Sequence, residues 1–412
     1  VMYAGHQMET GPISSLFTRP AHPYTAGLLR SSPTAEESSR RLSSIPGKAP
    51  SLLAVPAGCA FAPRCADATP ECFTSRPLER VYDDGVVVNC WLRRDPRVPE
   101  SVHEVDAFVT AMQADGSRSQ VGGPSRHAPD APVVNVTDMC LSFRPHSRRP
   151  VHVLKGISLT MASGDALGLV GESGCGKTTL ARAIAGLIPF TSGSIQFLGR
   201  DIANLTAPEW REMRQHVQMV FQDPYGSLNP RRRVGAIIGE PLRIQKGARG
   251  HELKAAVQQL MELVGLDPEH YNRYPSEFSG GQRQRIGIAR ALALDPQLVI
   301  FDEPVSALDV SIQAQILNLI KDLQDAFGYT YLFISHDLAV VRHVCDRIAV
   351  MDGGEIVELA ATETIFTAPQ ADFTKKLLEA SVFDQPVAAG SGRTLVAERP
   401  GPGLVADGWE KR

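Results

Sequence analysis

The sequence predicts a three-layer α/β domain with a mostly parallel sheet, preceded by a small extension that is rich in loops and cysteines. Two observations predict the domain. Apolar, β-rich runs alternate with helical patterns from Pro132 onward, and a glycine-rich turn joins one such run to a helix. A third observation predicts the extension, since four of the seven cysteines crowd between positions 59 and 90. The chain therefore divides into a loop-rich first part and an α/β second part.

Length and composition are those of an ordinary soluble globular protein with room for two or three domains. The chain has 412 residues, of which 43% are apolar and 21% charged, and its formal net charge is −3. The lack of a basic block argues against nucleic acid as a partner. Since no apolar run is long enough to span a membrane and no leader-like segment is visible, we expect a cytoplasmic protein.

Composition divides the chain into four zones. Residues 1–100 are rich in proline and cysteine, and residues 101–132 form a Gly/Ser/Pro stretch that we expect to be a flexible linker. Residues 133–382 carry the α/β pattern, and residues 383–412 return to a Gly/Pro-rich, flexible tail. We therefore expect one complete α/β domain in the third zone.

Four runs in or at the start of the third zone have the apolar, β-rich character of strands. They are APVVNVTDMCLSF (131–143), DALGLVG (165–171), QLVIFDE (297–303) and YTYLFISHD (329–337). Two helices are predicted from apolar residues at 3.6-residue spacing, one at 177–188 and one at 312–327. In the first of them we expect Leu180, Ile184 and Leu187 to share one face.

The run GESGCGKT lies between a predicted strand and a predicted helix, where a phosphate-binding loop is expected. Glycines let consecutive backbone N–H groups converge on phosphate oxygens, and the helix N-terminus adds its dipole. We expect Lys177 to reach the β- and γ-phosphates and the Thr178 hydroxyl to ligate Mg²⁺. A glycine-rich turn that matches by chance is the alternative. The residues expected to contact the nucleotide here are Gly171, Glu172, Ser173, Gly174, Cys175, Gly176, Lys177, Thr178 and Thr179.

The run LVIFDE (298–303) is an apolar strand that ends in two carboxylates, which is typical of a Walker B motif. We expect Asp302 to hold Mg²⁺ directly or through water, and Glu303 to polarise the attacking water. Alone, the motif would also fit a solvated acidic turn after a core strand. Together with the phosphate loop it predicts a nucleotide hydrolase.

A third motif narrows the class. FSGGQRQRIGIARAL (278–292) lies just before the Walker B strand and resembles the signature of ATP-binding cassette (ABC) ATPases. Gln222 in VFQDP resembles that family's Q-loop glutamine, SALD (306–309) its D-loop, and His336 in ISHD its switch histidine. Phe143 occupies the place of the aromatic residue that stacks on adenine. The chain is therefore identified as a member of this family.

The resemblance implies an ABC-type nucleotide-binding domain with a helical subdomain. It also implies a head-to-tail pair of cassettes in which each ATP lies between one phosphate loop and the opposite signature. Ser279, Gly280 and Gly281 would contact nucleotide, with Ser279 and Gly280 serving the γ-phosphate of the partner's ATP. For this chain's own nucleotide the implied catalytic residues are Glu303, His336 and Gln222, and the implied Mg²⁺ ligands are Thr178, Gln222 and Asp302. ATP binding would close the pair and hydrolysis would reopen it.

Two stretches resemble ATPases of oligopeptide and dipeptide importers. One is DPYGSLNPRRRVGAIIGEPL (223–242), and the other is HPYT (22–25) followed by GCAFAPRC and further cysteines. The resemblance implies ATP-driven import of peptides or related solutes by a peripheral subunit on the cytoplasmic side of the membrane. The implied partners are two transmembrane permease subunits, a second ABC ATPase half and, indirectly, an extracytoplasmic solute-binding protein. No nucleic acid is implied.

The chain repeats part of itself at an offset of 349 residues. Residues 1–32 align without a gap on residues 350–381, and 11 of the 32 pairs are identical. We therefore expect residues 1–100 to be the C-terminal remnant of a first cassette. Three explanations stay open: the upstream half was lost, the true gene start lies upstream of Val1, or the other half is encoded separately. In the second copy ADFT replaces HPYT and no cysteines follow, so the family's terminal extension is degenerate there.

Cys59, Cys65, Cys72 and Cys90 are separated by 5, 6 and 17 residues, and three explanations compete. Disulfides are disfavoured in the expected cytoplasmic setting, and structural zinc sites usually include a shorter Cys–Cys spacing. Four thiolates from a loop-rich segment can hold a [4Fe–4S] cluster, and the resemblance points the same way, because peptide-importer ATPases can carry one here. We expect a structural [4Fe–4S] cluster, with zinc as the second candidate and plainly buried thiols as the third.

Two other functions compete with transport. One is a soluble ABC ATPase that acts on DNA or ribosomes, and the other is a scaffold remnant of low activity. Proteins of the first class carry coiled-coil or zinc-hook insertions or a charged linker between two cassettes, and this sequence shows none of these. The intact motif set after residue 133 argues against a silent scaffold.

Overall fold

The computed structural model describes both parts of the chain. The described residues are 1–33, 41–47, 50, 55–82, 85–92, 132–143, 150–223 and 225–383. The predicted linker (101–132), apart from Pro132, and the predicted tail (383–412), apart from Phe383, lie outside these residues.

The first part consists of short elements around a small core of its own. The elements are β1 (Met2–Tyr3), β2 (His6–Gln7), β3 (Glu9–Thr10), α1 (Ile13–Thr18), α2 (Pro23–Ser31), a 3₁₀ turn (Ala62–Arg64), α3 (Pro70–Thr74), β4 (Arg80–Val81) and β5 (Val87–Val88). Strands β1 and β2 form a hairpin, and β3, β5 and β4 form a second antiparallel sheet. Tyr3, Met8 and Phe61 pack with Cys59 and Cys72 in the core between them.

The second part alternates strands with helices, as the sequence predicts. Its strands are β6 (Val134–Phe143), β7 (Val151–Met161), β8 (Ala166–Val170), β9 (Ser192–Phe197), β10 (Arg200–Asp201), β11 (Val217–Val220), β12 (Leu298–Asp302), β13 (Thr330–Ile334), β14 (Arg347–Asp352) and β15 (Glu355–Ala361). Its α-helices are α4 (Lys177–Ile184), α5 (Ala207–His216), α6 (Val234–Ile238), α7 (Gly250–Leu263), α8 (Gly280–Leu292), α9 (Val310–Phe327), α10 (Leu338–Val344), α11 (Thr362–Thr367) and α12 (Asp372–Phe383). Across the described residues, none of the helices combines the length and the apolar character needed to span a bilayer.

A six-stranded sheet forms the middle layer, in the order β11-β12-β13-β8-β14-β15. Every neighbouring pair is parallel except β14 and β15. Strands β8, β12 and β13 are buried at every position, because both faces of the sheet are covered. Helices α6 to α10 cover one face. Helices α4 and α5 and an antiparallel sheet, in the order β10-β9-β6-β7, cover the other. The predicted three-layer α/β architecture is thus confirmed.

The helix after the phosphate loop is shorter than predicted. Leu180 and Ile184 are buried, but Leu187 is 51% exposed, so the prediction that all three share a core face is wrong. The helix ends at Ile184, and Gly186 turns the chain away with φ of +65°. A side chain at Gly186 would collide with the ring of Trp210, at about 2.0 Å from its Cβ, so the turn also has no room for one.

The sequence repeat has a structural counterpart at the same offset. Helices α1 and α11 begin and end 349 residues apart, and α2 and α12 begin 349 residues apart. In the first copy the Glu9 carboxylate accepts the backbone N–H groups of Ala21 and His22, at 2.7 and 3.0 Å. In the second copy Glu358 accepts the N–H groups at the equivalent positions, at 2.9 and 3.0 Å. One carboxylate therefore fixes the approach to the second helix of each copy, α2 or α12; Glu9 is buried, whereas Glu358 is half-buried.

Candidate functional site

The loops that carry the predicted nucleotide residues lie at one edge of the six-stranded sheet. The phosphate loop follows β8, Gln222 follows β11, Asp302 and Glu303 stand at the end of β12, and His336 follows β13. These four strands are parallel, so their carboxyl ends meet at the same edge. Residues that are far apart in the sequence are thereby gathered into one site.

The phosphate loop requires glycine for two reasons. Gly171, Gly174 and Gly176 have φ values of +153°, +85° and +109°, which residues with side chains rarely adopt. A Cβ at Gly171 would also lie 2.1 Å from the carbonyl oxygen of Met351 in β14, and one at Gly176 would lie 2.8 Å from Leu154 in β7. The loop thus packs closely against β14 and β7, and its backbone N–H groups immediately precede the N-terminus of α4.

Lys177 is the buried cation of the loop. Its side chain folds back so that Nζ donates to the carbonyl oxygens of Gly171 and Glu172, both at 2.8 Å. The residue is only 5% exposed. Because these acceptors are neutral and burial of an unpaired ammonium is costly, the loop offers a strong positive charge to an anion such as a phosphate.

Thr178 and Asp302 form the oxygen-rich side of the site. The Thr178 hydroxyl donates to Asp302 Oδ1 at 2.9 Å. Burial raises the pKa of Asp302, and the Thr178 hydrogen bond and the charge of Arg182 oppose that shift. A hydroxyl and a carboxylate are hard oxygen ligands of the kind that Mg²⁺ takes, with water and substrate phosphates completing its shell. The two side chains therefore fit the protein's share of a Mg²⁺ site.

Glu303 is the centre of a second polar group. Gln222 Nε2 donates to Glu303 Oε2 at 2.9 Å, and His336 Nδ1 lies 3.5 Å from the same oxygen. The His336 side chain is 60% exposed, whereas that of Glu303 is 18% exposed. The structure thus brings together the three residues that the sequence analysis named as catalytic.

The backbone of Glu303 is in the left-handed region, with φ of +46°. This conformation is unfavourable for a residue with a side chain and is found mostly where surrounding structure enforces it. Two hydrogen bonds do so here: the Glu303 N–H donates to Ile334 O at 3.0 Å, and the Ser306 hydroxyl donates to Glu303 O at 3.1 Å. The direction of the carboxylate is therefore set by the end of β13 and by the SALD stretch.

The signature stretch begins α8. Ser279 caps this helix: its hydroxyl accepts the Gln282 N–H at 3.4 Å, and its own N–H donates to the Gln282 side chain at 3.1 Å. A Cβ at Gly281 would lie 2.2 Å from Ile312, so glycine lets α8 pack closely on α9, while Gly280 lies beside Leu308. Ser279 itself is exposed, so the N-terminus of α8 faces solvent.

Phe143 stands at the end of β6 and is 49% exposed. It pairs in register with Val151 at the start of β7. Two residues further along β7, the Val153 carbonyl oxygen lies 3.2 Å from where a Cβ of Gly176 would be. The aromatic ring is therefore carried by the sheet whose edge touches the phosphate loop.

Sequence reasoning missed how the segment after Gln222 is tied to α8. The guanidinium of Arg283 lies 4.1 Å from the ring centre of Tyr225, and Arg290 Nη1 donates to Ser227 O at 2.9 Å. Both arginines come from one helix at a spacing of two turns, which puts them on the same side. That spacing is the one signal in the sequence that could have indicated the contact.

The four clustered cysteines are all free thiols, with Cys59, Cys72 and Cys90 buried and Cys65 half-buried. The Cys59 N–H donates to Cys72 O at 2.8 Å, and burial raises the pKa of Cys65 to about 11. The donor set suits a metal centre, but the described residues contain no group of three or more potential ligands placed to hold a metal ion. The geometry therefore gives the expected iron–sulfur cluster no support.

Family models match two separate regions. The model described as ABC transporter matches residues 154–306, which include the phosphate loop, α8 and the Walker B strand. The model described as the C-terminal region of oligopeptide/dipeptide transporters matches residues 8–72, in the first part of the chain.

Curated relatives are similar over most of the chain. The oligopeptide transport ATP-binding protein OppD of Mycobacterium tuberculosis is 42% identical over 400 residues, which are 95% of this chain and 63% of that protein. The glutathione import ATP-binding protein GsiA of Pectobacterium atrosepticum is 40% identical over 407 residues, 98% of this chain and 56% of that protein. This chain thus spans less than two thirds of the length of these two relatives.

A shorter relative and a solved structure complete the comparison. A putative peptide import ATP-binding protein of Brucella ovis is 46% identical over 274 residues, which are 66% of this chain and 86% of that protein. Among solved structures, a dimeric ATP-binding cassette bound to ADP and Pi in a post-hydrolysis state has a TM-score of 0.51 and 27% identity. The match covers 56% of this chain and 98% of the chain in that structure.

Proposed function

The chain belongs to the ABC transporter family of ATP-binding proteins, and from this we propose that it hydrolyses ATP to power the import of peptides or related solutes. The observation that carries the proposal is the meeting of the phosphate loop with Gln222, Glu303 and His336 at one edge of the sheet. The import function is further supported by relatives named for oligopeptide, glutathione and peptide import.

In the proposed reaction the phosphates of ATP lie against the backbone N–H groups of the phosphate loop and the Lys177 ammonium. Thr178 and Asp302, together with Gln222, would hold Mg²⁺, which would supply positive charge to offset that of the phosphate oxygens. The Glu303 carboxylate, oriented by its hydrogen bond from Gln222, polarises the attacking water. His336, the third proposed catalytic residue, lies beside the same carboxylate oxygen, with its Nδ1 at 3.5 Å.

The productive state in this proposal is a head-to-tail pair of cassettes. Ser279, with Gly280 and Gly281, offers the N-terminus of α8 to the γ-phosphate held by the partner, and Phe143 stacks on the adenine of this chain's own ATP. Two observations support this. The N-terminus of α8 faces solvent, and the solved cassette of similar fold is dimeric.

The ATPase rate per chain is therefore expected to rise with protein concentration. Mixing two inactive variants tests the pairing more sharply. Lys177→Ala disables the phosphate loop and Ser279→Arg disables the signature, so a mixed pair has one intact composite site. We expect each variant alone to be nearly inactive and the mixture to regain activity in a steady-state ATPase assay. A mixture as inactive as its components, or a parent rate independent of concentration, would contradict the pairing.

The proposed partners are two transmembrane permease subunits and a second ABC ATPase half, and a solute-binding protein outside the membrane acts indirectly. The proposed location is the cytoplasmic face of the membrane.

We further propose that residues 133–382 form a complete cassette and that residues 1–100 form the C-terminal region of another. The match of residues 8–72 and the structural copy at α1 and α2 support this division.

A structural [4Fe–4S] cluster on Cys59, Cys65, Cys72 and Cys90 is a separate proposal. It is supported by four free thiols, three of which (Cys59, Cys65 and Cys72) lie in or against one small core, rather than by ligand geometry. Anaerobically purified protein is expected to be brown, to absorb near ~400 nm and to contain about four irons per chain. Cys72→Ser should lower the iron content, whereas Cys140→Ser, outside this segment, should not. Colourless protein with zinc, or with no metal, would overturn the proposal.

A further inference from the structure

The first part of the chain touches the cassette on one side and leaves an apolar face open on the other. We infer that this part, called here the extension (the described residues from 1 to 92), is a bridge that fastens α9 of this cassette to the nucleotide-binding core of another cassette. The inference rests on the proposed pairing of cassettes and adds to it a contact that involves no nucleotide.

One end of the bridge is a set of hydrogen bonds between residues 41–45 and α9, called here the clasp. Asn318 in α9 bonds to both backbone groups of Leu42: its Oδ1 accepts the Leu42 N–H at 3.1 Å, and its Nδ2 donates to the Leu42 carbonyl oxygen at 2.8 Å. One turn further along, the Arg41 guanidinium makes two hydrogen bonds to Asp322, at 2.7 and 2.9 Å. One turn in the other direction, Gln315 donates to Ile45 O at 3.4 Å.

The clasp is continuous with the rest of the extension through Arg64. Its Nε donates to Pro46 O at 2.8 Å and its Nη2 to Ile45 O at 3.0 Å, while Nη1 donates to the Tyr3 hydroxyl at 3.1 Å. Arg64 belongs to the cysteine-containing segment, and Tyr3 to the β1–β2 hairpin. The Arg64 side chain therefore connects the hairpin to the clasp by hydrogen bonds.

The other end of the bridge is an apolar face on the first repeat copy. Met2, Ile13 and Phe17 are 66%, 72% and 42% exposed. At the equivalent positions of the second copy, Met351 and Thr362 are 0% and 5% exposed, and the ring of Phe366 packs on the main core. This chain thus shows what covers such a face, namely the core of an ABC cassette.

The two copies bury opposite faces of the same hairpin. Tyr3 and Met8 are 6% and 3% exposed because the cysteine-containing segment packs on them, whereas the equivalent Asp352 is exposed and Val357 is 38% exposed. The cysteine-containing segment therefore covers the hairpin face that carries Tyr3 and Met8. The opposite face, which carries Met2, stays exposed, and its counterpart in the second copy is the face that packs on the cassette core. Within the described residues, the second copy packs the equivalent face on the core of a cassette, and a second cassette core is therefore the occupant that we infer for the first copy.

The clasp can be tested in the full chain by placing a specific protease site after residue 115. Once the chain is cleaved, the extension is expected to remain bound to the cassette. Asn318→Ala and Asp322→Arg should each speed its dissociation, together roughly tenfold or more. Arg41→Asp should restore retention in the Asp322→Arg protein. Asp325→Arg, on the same helix but outside the clasp, is the control. Immediate separation of the parent, or equal effects of Asp322→Arg and Asp325→Arg, would overturn this end of the bridge.

The apolar face can be tested by joining a copy of residues 133–349 directly before Val1, since Val1 aligns with Val350. We expect α1 to become protected from hydrogen exchange and the chain to bind a second nucleotide. Phe17→Glu should reverse both changes, and Phe73→Glu, at another exposed phenylalanine of the extension, should reverse neither. Unchanged exchange at α1 in the joined chain would refute the inference. Hydrogen exchange at α1 measures packing alone, and neither readout requires ATP hydrolysis, so this inference can fail while the proposed catalysis stands.

Discussion

Replacing Glu303 with glutamine is expected to slow ATP turnover by more than ~100-fold while nucleotide binding is retained. The amide keeps the shape of the side chain and can still bond Gln222, but it cannot polarise water as a carboxylate does. The expectation depends on the proposed role, which rests on the contacts of Glu303 with Gln222 and His336. Single-turnover hydrolysis and equilibrium titration with a fluorescent ATP analogue separate the two effects.

Glu355→Gln is the matched control, because it removes an exposed carboxylate in the hairpin between β14 and β15. It should leave turnover close to that of the parent. Full ATPase activity in the Glu303→Gln protein would remove Glu303 from its assigned role, and the search for the water-positioning group would then move to His336.

Substitution of Lys177 by alanine is expected to weaken ATP binding by roughly 100-fold, because it removes the one buried cation of the phosphate loop and its charge-assisted hydrogen bonds to phosphate. The dissociation constant for ATP is the quantity to measure. Lys375→Ala is the control, since that lysine pairs at the surface with Asp372 at 3.4 Å.

The loop could also lose its shape in the Lys177→Ala protein, since Nζ donates to two loop carbonyls. An unchanged melting temperature together with weakened binding would assign the effect to the lost charge. An unchanged dissociation constant for ATP would mean that the phosphates bind elsewhere.

The nucleotide site could be predicted from the sequence because its parts are local. Each motif is a strand followed by a short loop, and the apolar runs ending at Val170, Asp302 and Ile334 are buried at every position, as such runs predict. Parallel pairing of these strands then places the loops that follow them at the same edge of the sheet, so no further contact had to be predicted. Alternating strands and helices already imply that pairing.

Other features could not be predicted, for identifiable reasons. The antiparallel sheet was missed because register shifts in β6, with Asp138 at φ of +46°, interrupt its two-residue period. The clasp was missed because Asn318 bonds to the backbone groups of Leu42, and such bonds do not depend on which side chain stands at position 42. Leu187 was misplaced because the turn at Gly186 ends the helical period before it.

The left-handed backbone at Glu303 has a consequence for engineering. A side chain in this conformation costs on the order of 1 kcal/mol of folding stability, and glycine or asparagine would carry it more cheaply. Neither residue has a carboxylate. A library screened for heat resistance alone would therefore be drawn to replace this residue, and its winners would keep the cassette fold while losing hydrolysis. At this position thermostability and activity are opposing objectives, and Glu303 belongs among the residues that such a screen holds constant.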